Sequence, residues 1–108
     1  MPETLLYGLE QGTMAEARGP LEAALGVRFG EGENLSYGVY FRIRNGTERA
    51  NLYDNYDKEY AAEGKHVRLH EIPFPVLFEI DGTERADEYE RLLSGRVLGL
   101  VLIRRAAY

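Results

Sequence analysis

Three tyrosines and three carboxylates crowd one stretch of the chain, Tyr53-Asp54-Asn55-Tyr56-Asp57-Lys58-Glu59-Tyr60, with Glu63 just beyond. Closely spaced oxygen donors first suggest calcium, a hard cation that takes oxygen ligands. An EF-hand loop needs glycine at its sixth position and glutamate at its twelfth. Counted from Asp54, those positions hold Glu59 and Lys65, so the motif fails. An irregular cation site and a catalytic carboxylate pair remain conceivable, but no spacing supplies an opposing group. Two other readings are a solvated acidic loop and a protein-binding loop. In the second, tyrosines give rigid contact area at low entropic cost and carboxylates complement a basic partner.

Other reactive residues are sparse. His66 and His70 stand four apart, a spacing that shares one face of a helix. The residues around them look extended instead, which would hold the two rings too far apart for joint ligation. No metal is assigned, and these histidines are expected at the surface. Ser36 and Ser94 are the only serines, and neither sits in a nucleophile elbow. Gly30 and Gly32 lack the further glycine and helix start of a dinucleotide fingerprint. The absence of cysteine removes thiolate nucleophiles, disulfides and cysteine-ligated metals. No cofactor is implied and no catalytic residue is assigned.

The elements that position the cluster are clearer. Thr13 and Glu16 form a capping box for a helix carrying Met14, Ala17, Leu21, Ala24 and Leu25 at helical spacing. Gly19-Pro20 predicts a kink or restart, and Gly26 a stop. Val27 to Phe29 reads as a short strand, followed by a loop or bulge at Gly30-Glu31-Gly32. Tyr37–Arg44 and Thr47–Asp54 are β-rich runs on either side of Asn45-Gly46, a dipeptide favoured in type I′ hairpins. The segment from Asn55 to Lys65 reads as a loop with a helical turn near Lys58 to Glu63. Pro73 and Pro75 introduce a strand over Val76–Ile80, and Asp81-Gly82 reads as a turn. Thr83 is placed as the cap of a second helix to about Ser94, with Ala86, Tyr89, Leu92 and Leu93 on its apolar side. Gly95 ends that helix. Val97–Arg105 reads as a central strand buried on both faces.

The hairpin register fixes which side chains share a face. A turn at Asn45-Gly46 sets Arg44 opposite Thr47, Arg42 opposite Arg49 and Phe41 opposite Ala50. Val39, Phe41, Ile43, Ala50 and Leu52 then form the core side. Tyr40, Arg42, Arg44, Arg49, Asn51 and Tyr53 form the other, an edge-protecting solvated face or a recognition face. The expected architecture is a single α+β domain over residues 1–108. It has a mainly antiparallel sheet of four to six strands, two helices on one face, and the order helix, strands, helix, strand.

The 108 residues suffice for one core, which at this size removes roughly two thirds of the unfolded surface from water. Thirteen Lys and Arg against eighteen Asp and Glu give a net charge of −5, which argues against general binding to nucleic acid or anionic membrane. The start of the chain lacks a basic n-region and the longest apolar run is far below a bilayer span, so a cytoplasmic protein is expected.

The run Leu35-Ser36-Tyr37-Gly38-Val39-Tyr40-Phe41-Arg42-Ile43-Arg44, continued by Asn51-Leu52-Tyr53-Asp54-Asn55, resembles the middle of small bacterial immunity proteins that neutralise polymorphic toxins. The resemblance implies an acidic, non-enzymatic domain that occludes a cognate toxin's active site. The residues assigned to the partner are Tyr53, Asp54, Tyr56, Asp57, Glu59 and Tyr60, with Tyr40 and Arg42 on the adjoining face. Two alternatives are a small regulatory or ligand-binding domain using a pocket at Tyr40, Tyr53 and Arg42, and a metal-dependent hydrolase.

Overall fold

A computed structural model describes residues 1–36, 38–56, 63–64, 68–70 and 72–107. Among these, β1 (Glu3–Leu9) precedes α1 (Met14–Leu25), followed by β2 (Gly30–Asn34), β3 (Gly38–Asn45), β4 (Glu48–Asp54) and β5 (Val76–Thr83). Next come α2 (Ala86–Leu93) and β6 (Leu100–Ala107). The strands form one antiparallel sheet in the order β2-β3-β4-β5-β1-β6. The chain is α+β as expected, with a strand ahead of the first helix.

That leading strand explains two departures from the sequence reading. Leu5, Leu6, Tyr7 and Leu9 are all buried, so β1 takes an interior place between β5 and β6. A strand covered on both faces reads as a short apolar run without alternation, which conceals it. The expected central strand near the end of the chain is instead the sheet edge, β6. Its apolar run divides its work: Val97, Leu100 and Leu102 pack on the helix side, and Ile103 on the other.

Local signals settle the helices. Thr13 and Glu16 close a reciprocal capping box on α1, and Gly26 ends the helix at φ +68°. The helix passes through Gly19-Pro20 without a break, and Pro20 is exposed, so the carbonyl it leaves unpaired can be solvated. Arg85, not Thr83, is the N-cap of α2. Thr83 closes β5, where its Oγ1 accepts from the Arg85 backbone N–H at 3.0 Å. Asp81-Gly82 is part of β5, at a register shift against β1. Gly82 has φ +68°, and a Cβ there would stand 2.6 Å from the Thr47 carbonyl oxygen. Phe29 is buried ahead of β2, so the strand starts where a loop at Gly30 is expected.

The β3–β4 hairpin turns one residue later than Asn45-Gly46 predicts. Asn45 pairs with Glu48, Arg44 with Arg49, Arg42 with Asn51 and Phe41 with Leu52. Gly46-Thr47 therefore makes the loop, with glycine at φ +61° in the first position, as a type II′ turn uses it. Each pairing moves by an even number of residues, so both faces keep their side chains. Phe41, Ile43, Ala50 and Leu52 face α1 and α2 as expected, joined by Tyr7, Phe78 and Ile80 in the main core. Val39, assigned to that core, is exposed beyond its reach.

Candidate binding surface

The other sheet face divides into a covered half and an open half. On the covered half, Tyr40, Tyr53, Leu6 and Leu77 form a second apolar cluster beneath Leu69, Ile72, Phe74 and Ile103. Close approach is made possible by glycine. The Phe74 ring lies over Gly8, where a Cβ would meet its Cγ at 2.4 Å, and the Tyr40 ring lies over Gly32. Asn55, fully buried, fastens this cover. Its Nδ2 donates to the carbonyls of His70, Ile72 and Phe74 at 3.2, 3.3 and 3.0 Å, and its Oδ1 accepts from the His70 N–H at 2.8 Å. The Tyr53 hydroxyl lies 3.1 Å from His70 Nε2.

Two assigned partner residues are therefore corrected. Tyr53 is fully buried and Tyr40 nearly so, because the chain returning to β5 covers them with apolar side chains. The same cover fills the place where a Tyr40, Tyr53 and Arg42 pocket would open. Asp54 and Tyr56 are half-buried beside an open cleft of about 340 Å³ that also touches Pro75 and the start of α1. Asp57, Glu59 and Tyr60 lie outside the described residues, as do His66 and most of the expected helical turn at Lys58–Glu63. His70 is half-buried against Tyr53 instead of standing at the surface.

On the open half, Arg42, Arg44 and Arg49 are exposed on neighbouring strands. Arg44 Nη1 donates to the Ile43 carbonyl and to Asn51 Oδ1, each at 3.0 Å. Among the described residues, no carboxylate lies within ion-pair distance of Arg42, Arg44, Arg49 or Arg104. On the helix side Arg28, Arg91 and Arg96 are likewise exposed with no ion pair among the described residues, but they are scattered and other arginines there are paired. There Arg105 binds Glu3 and Asp87 at 2.8 and 2.7 Å and also Glu90, and Arg18 reaches Glu22 and the Phe29 carbonyl.

Glu79 and Asp81 border the arginines on β5, where Glu79 pairs with Asn51 and Asp81 with Arg49. Burial pushes the half-buried Glu79 carboxyl upward, His70 pulls it down, Asp81 adds to the rise and Arg104 opposes it, and the rise prevails. Thr4 Oγ1 donates to Asp81 Oδ1 at 2.7 Å. On the far side β2 offers Gly30 opposite Arg42, a bare ledge. Sequence reasoning missed Glu79, Asp81 and Arg104 because their membership depends on strand order. The alternation Leu77, Glu79, Asp81 was the available signal, since those residues share a face of any strand.

A different carboxylate cluster is structural. Glu48 accepts from Thr83 Oγ1 at 2.6 Å, Tyr89 hydroxyl at 2.8 Å, and Arg85 Nε and Nη2 at 3.0 Å each. Burial raises its pKa, but the bonds from Arg85, Thr83 and Tyr89 outweigh that and hold it below its ordinary value. Burial and the Glu48 carboxylate push the Tyr89 phenol to about 12. With its lone pairs engaged, Glu48 braces the turn end of the hairpin against α2 and offers no free base.

Among the described residues, no group of three or more His, Asp or Glu side chains is placed to share a metal ion, and no helix is long and apolar enough to cross a membrane. Comparison of the chain with protein-family models, curated proteins and solved structures finds no match in any of the three.

Proposed function

We propose that the protein is a non-enzymatic protein-binding domain that acts in the cytoplasm and receives its partner on the open half of the sheet face. One observation carries the reading. In a chain with carboxylates in excess, Arg42, Arg44 and Arg49 stand together and exposed with no carboxylate in ion-pair range among the described residues. Guanidinium groups are strong anchors at protein interfaces because their planar forks bind carboxylates through paired hydrogen bonds. The stretches resembling toxin-immunity proteins supply β3 up to Arg44 and the last four residues of β4, and so include Arg42 and Arg44. That supports a bacterial toxin domain as the partner, occluded by direct docking.

The test is co-expression with the C-terminal domain of the protein encoded by the neighbouring reading frame, followed by capture. Capture should be lost on charge reversal at Arg42→Glu and Arg49→Glu, and retained with Asp54→Lys and Asp57→Lys. The opposite pattern would return the interface to the acidic loop. Failure to capture any such domain would remove the immunity reading.

A further inference from the structure

Resting on the reading of the protein as a binding domain, we propose that its partner presents a compact cluster of carboxylates, from an acidic protein segment, to Arg42, Arg44 and Arg49. The first support is the spacing. Arg44 and Arg49 are direct cross-strand partners, with Cβ atoms about 5 Å apart, and Arg42 lies two residues along β3. The three cations thus occupy a patch about as wide as two or three adjacent carboxylates. An anion placed between Arg44 and Arg49 gains two attractions and cancels their mutual repulsion. Each guanidinium can take a carboxylate through two parallel hydrogen bonds.

The second support is the border. Glu79 and Asp81 close the patch on β5, so a continuing track of phosphates would run into two carboxylates. A protein segment can end its negative charge there and turn a neutral or basic group toward Glu79. On the β2 side Gly30 carries no side chain opposite Arg42, and a Cβ there would find only the Arg42 carbonyl, at 3.8 Å. A partner backbone can therefore approach closely at that edge. The net charge of −5 works in the same direction, since an acidic partner is attracted to this cluster of three arginines and repelled by the carboxylate excess elsewhere.

The experiment is an amide NMR titration of the full chain with hexaglutamate, with hexalysine and a six-nucleotide single-stranded DNA as comparison probes. Hexaglutamate should shift β3 and β4 amides saturably. Its affinity should fall about tenfold in the Arg42→Ala, Arg49→Ala double variant and again between about 50 and 500 mM salt. The variant's spectrum without peptide reports whether it is folded, and a single Arg42→Lys variant should retain only part of the affinity. Three results would overturn the proposal: no shifts on β3 and β4, shifts indifferent to the arginine substitutions, or DNA binding as tightly as hexaglutamate. A toxin-type partner captured through another surface would overturn it while leaving the binding-domain reading in place.

Discussion

Arg44 and Arg49 face each other directly across β3 and β4, and neither has a carboxylate within ion-pair distance among the described residues. Like charges in that position oppose sheet formation. Arg44 relieves part of the conflict by turning to Asn51 Oδ1. Asp81, opposite Arg49 on β5, offsets another part, so replacing Arg49 with threonine should change the stability of the free protein by no more than about 0.5 kcal/mol while weakening partner binding. Urea unfolding and partner titration of one variant check both halves. A larger loss of stability would show that Arg49 serves the fold.

Asn55 should be far less replaceable. Alanine there leaves the Phe74 carbonyl and the His70 N–H without their partner at a fully buried position, and the His70 and Ile72 carbonyls with only the Ile72 N–H and Arg68, a cost of about 2–4 kcal/mol. Aspartate should be worse at neutral pH, since it would aim a carboxylate at three carbonyl oxygens. Denaturant midpoints for Asn55→Ala and Asn55→Asp at pH 7 give the ranking.

Gly8 should tolerate no side chain while Phe74 lies over it. Gly8→Ala should cost about 1–3 kcal/mol and loosen the cover over Tyr53. The same change in a Phe74→Ala background should cost less, because the Phe74 contacts are gone and only the end of the Ile103 side chain, at 2.8 Å, must move. Hydrogen exchange at Leu69 and Ile72 reports the loosening.

Two glutamates should move stability with pH in opposite directions. The Glu48 pKa is lowered in the fold, so its contribution is present above the unfolded value and is lost as pH falls through the folded one. Glu48→Gln should therefore destabilise by about 1–3 kcal/mol at pH 7 and by less in acid. The Glu79 pKa is raised, so stability falls as pH climbs through its folded value. Glu79→Gln should raise stability at pH 7, with the gain vanishing below the ordinary carboxylate range. Unfolding curves across that range distinguish the two.

The sequence made local features readable and left long-range ones hidden. Thr13, Glu16 and Gly26 act within a few residues, so α1 was legible at both ends. The hairpin faces were legible because a two-residue shift of register leaves them unchanged. The place of β1 was not, since Leu5-Leu6-Tyr7 becomes interior only through pairing with β5 and β6, more than seventy residues away. The same limit misplaced Tyr40 and Tyr53. Their alternation is that of a solvent-facing row, and only the returning chain fastened by Asn55 buries them. Arg42 stayed exposed as expected, while Glu79 and Asp81 joined it through strand order.

The binding face is tested most directly by the affinity of a captured partner for the native chain and for the Arg42→Ala, Arg49→Ala double variant, each measured at two salt concentrations. The arginine patch predicts a loss of at least about a hundredfold in the variant, with a flattened salt dependence and an unfolding midpoint unchanged or higher. Equal affinities with equal salt dependence would contradict it.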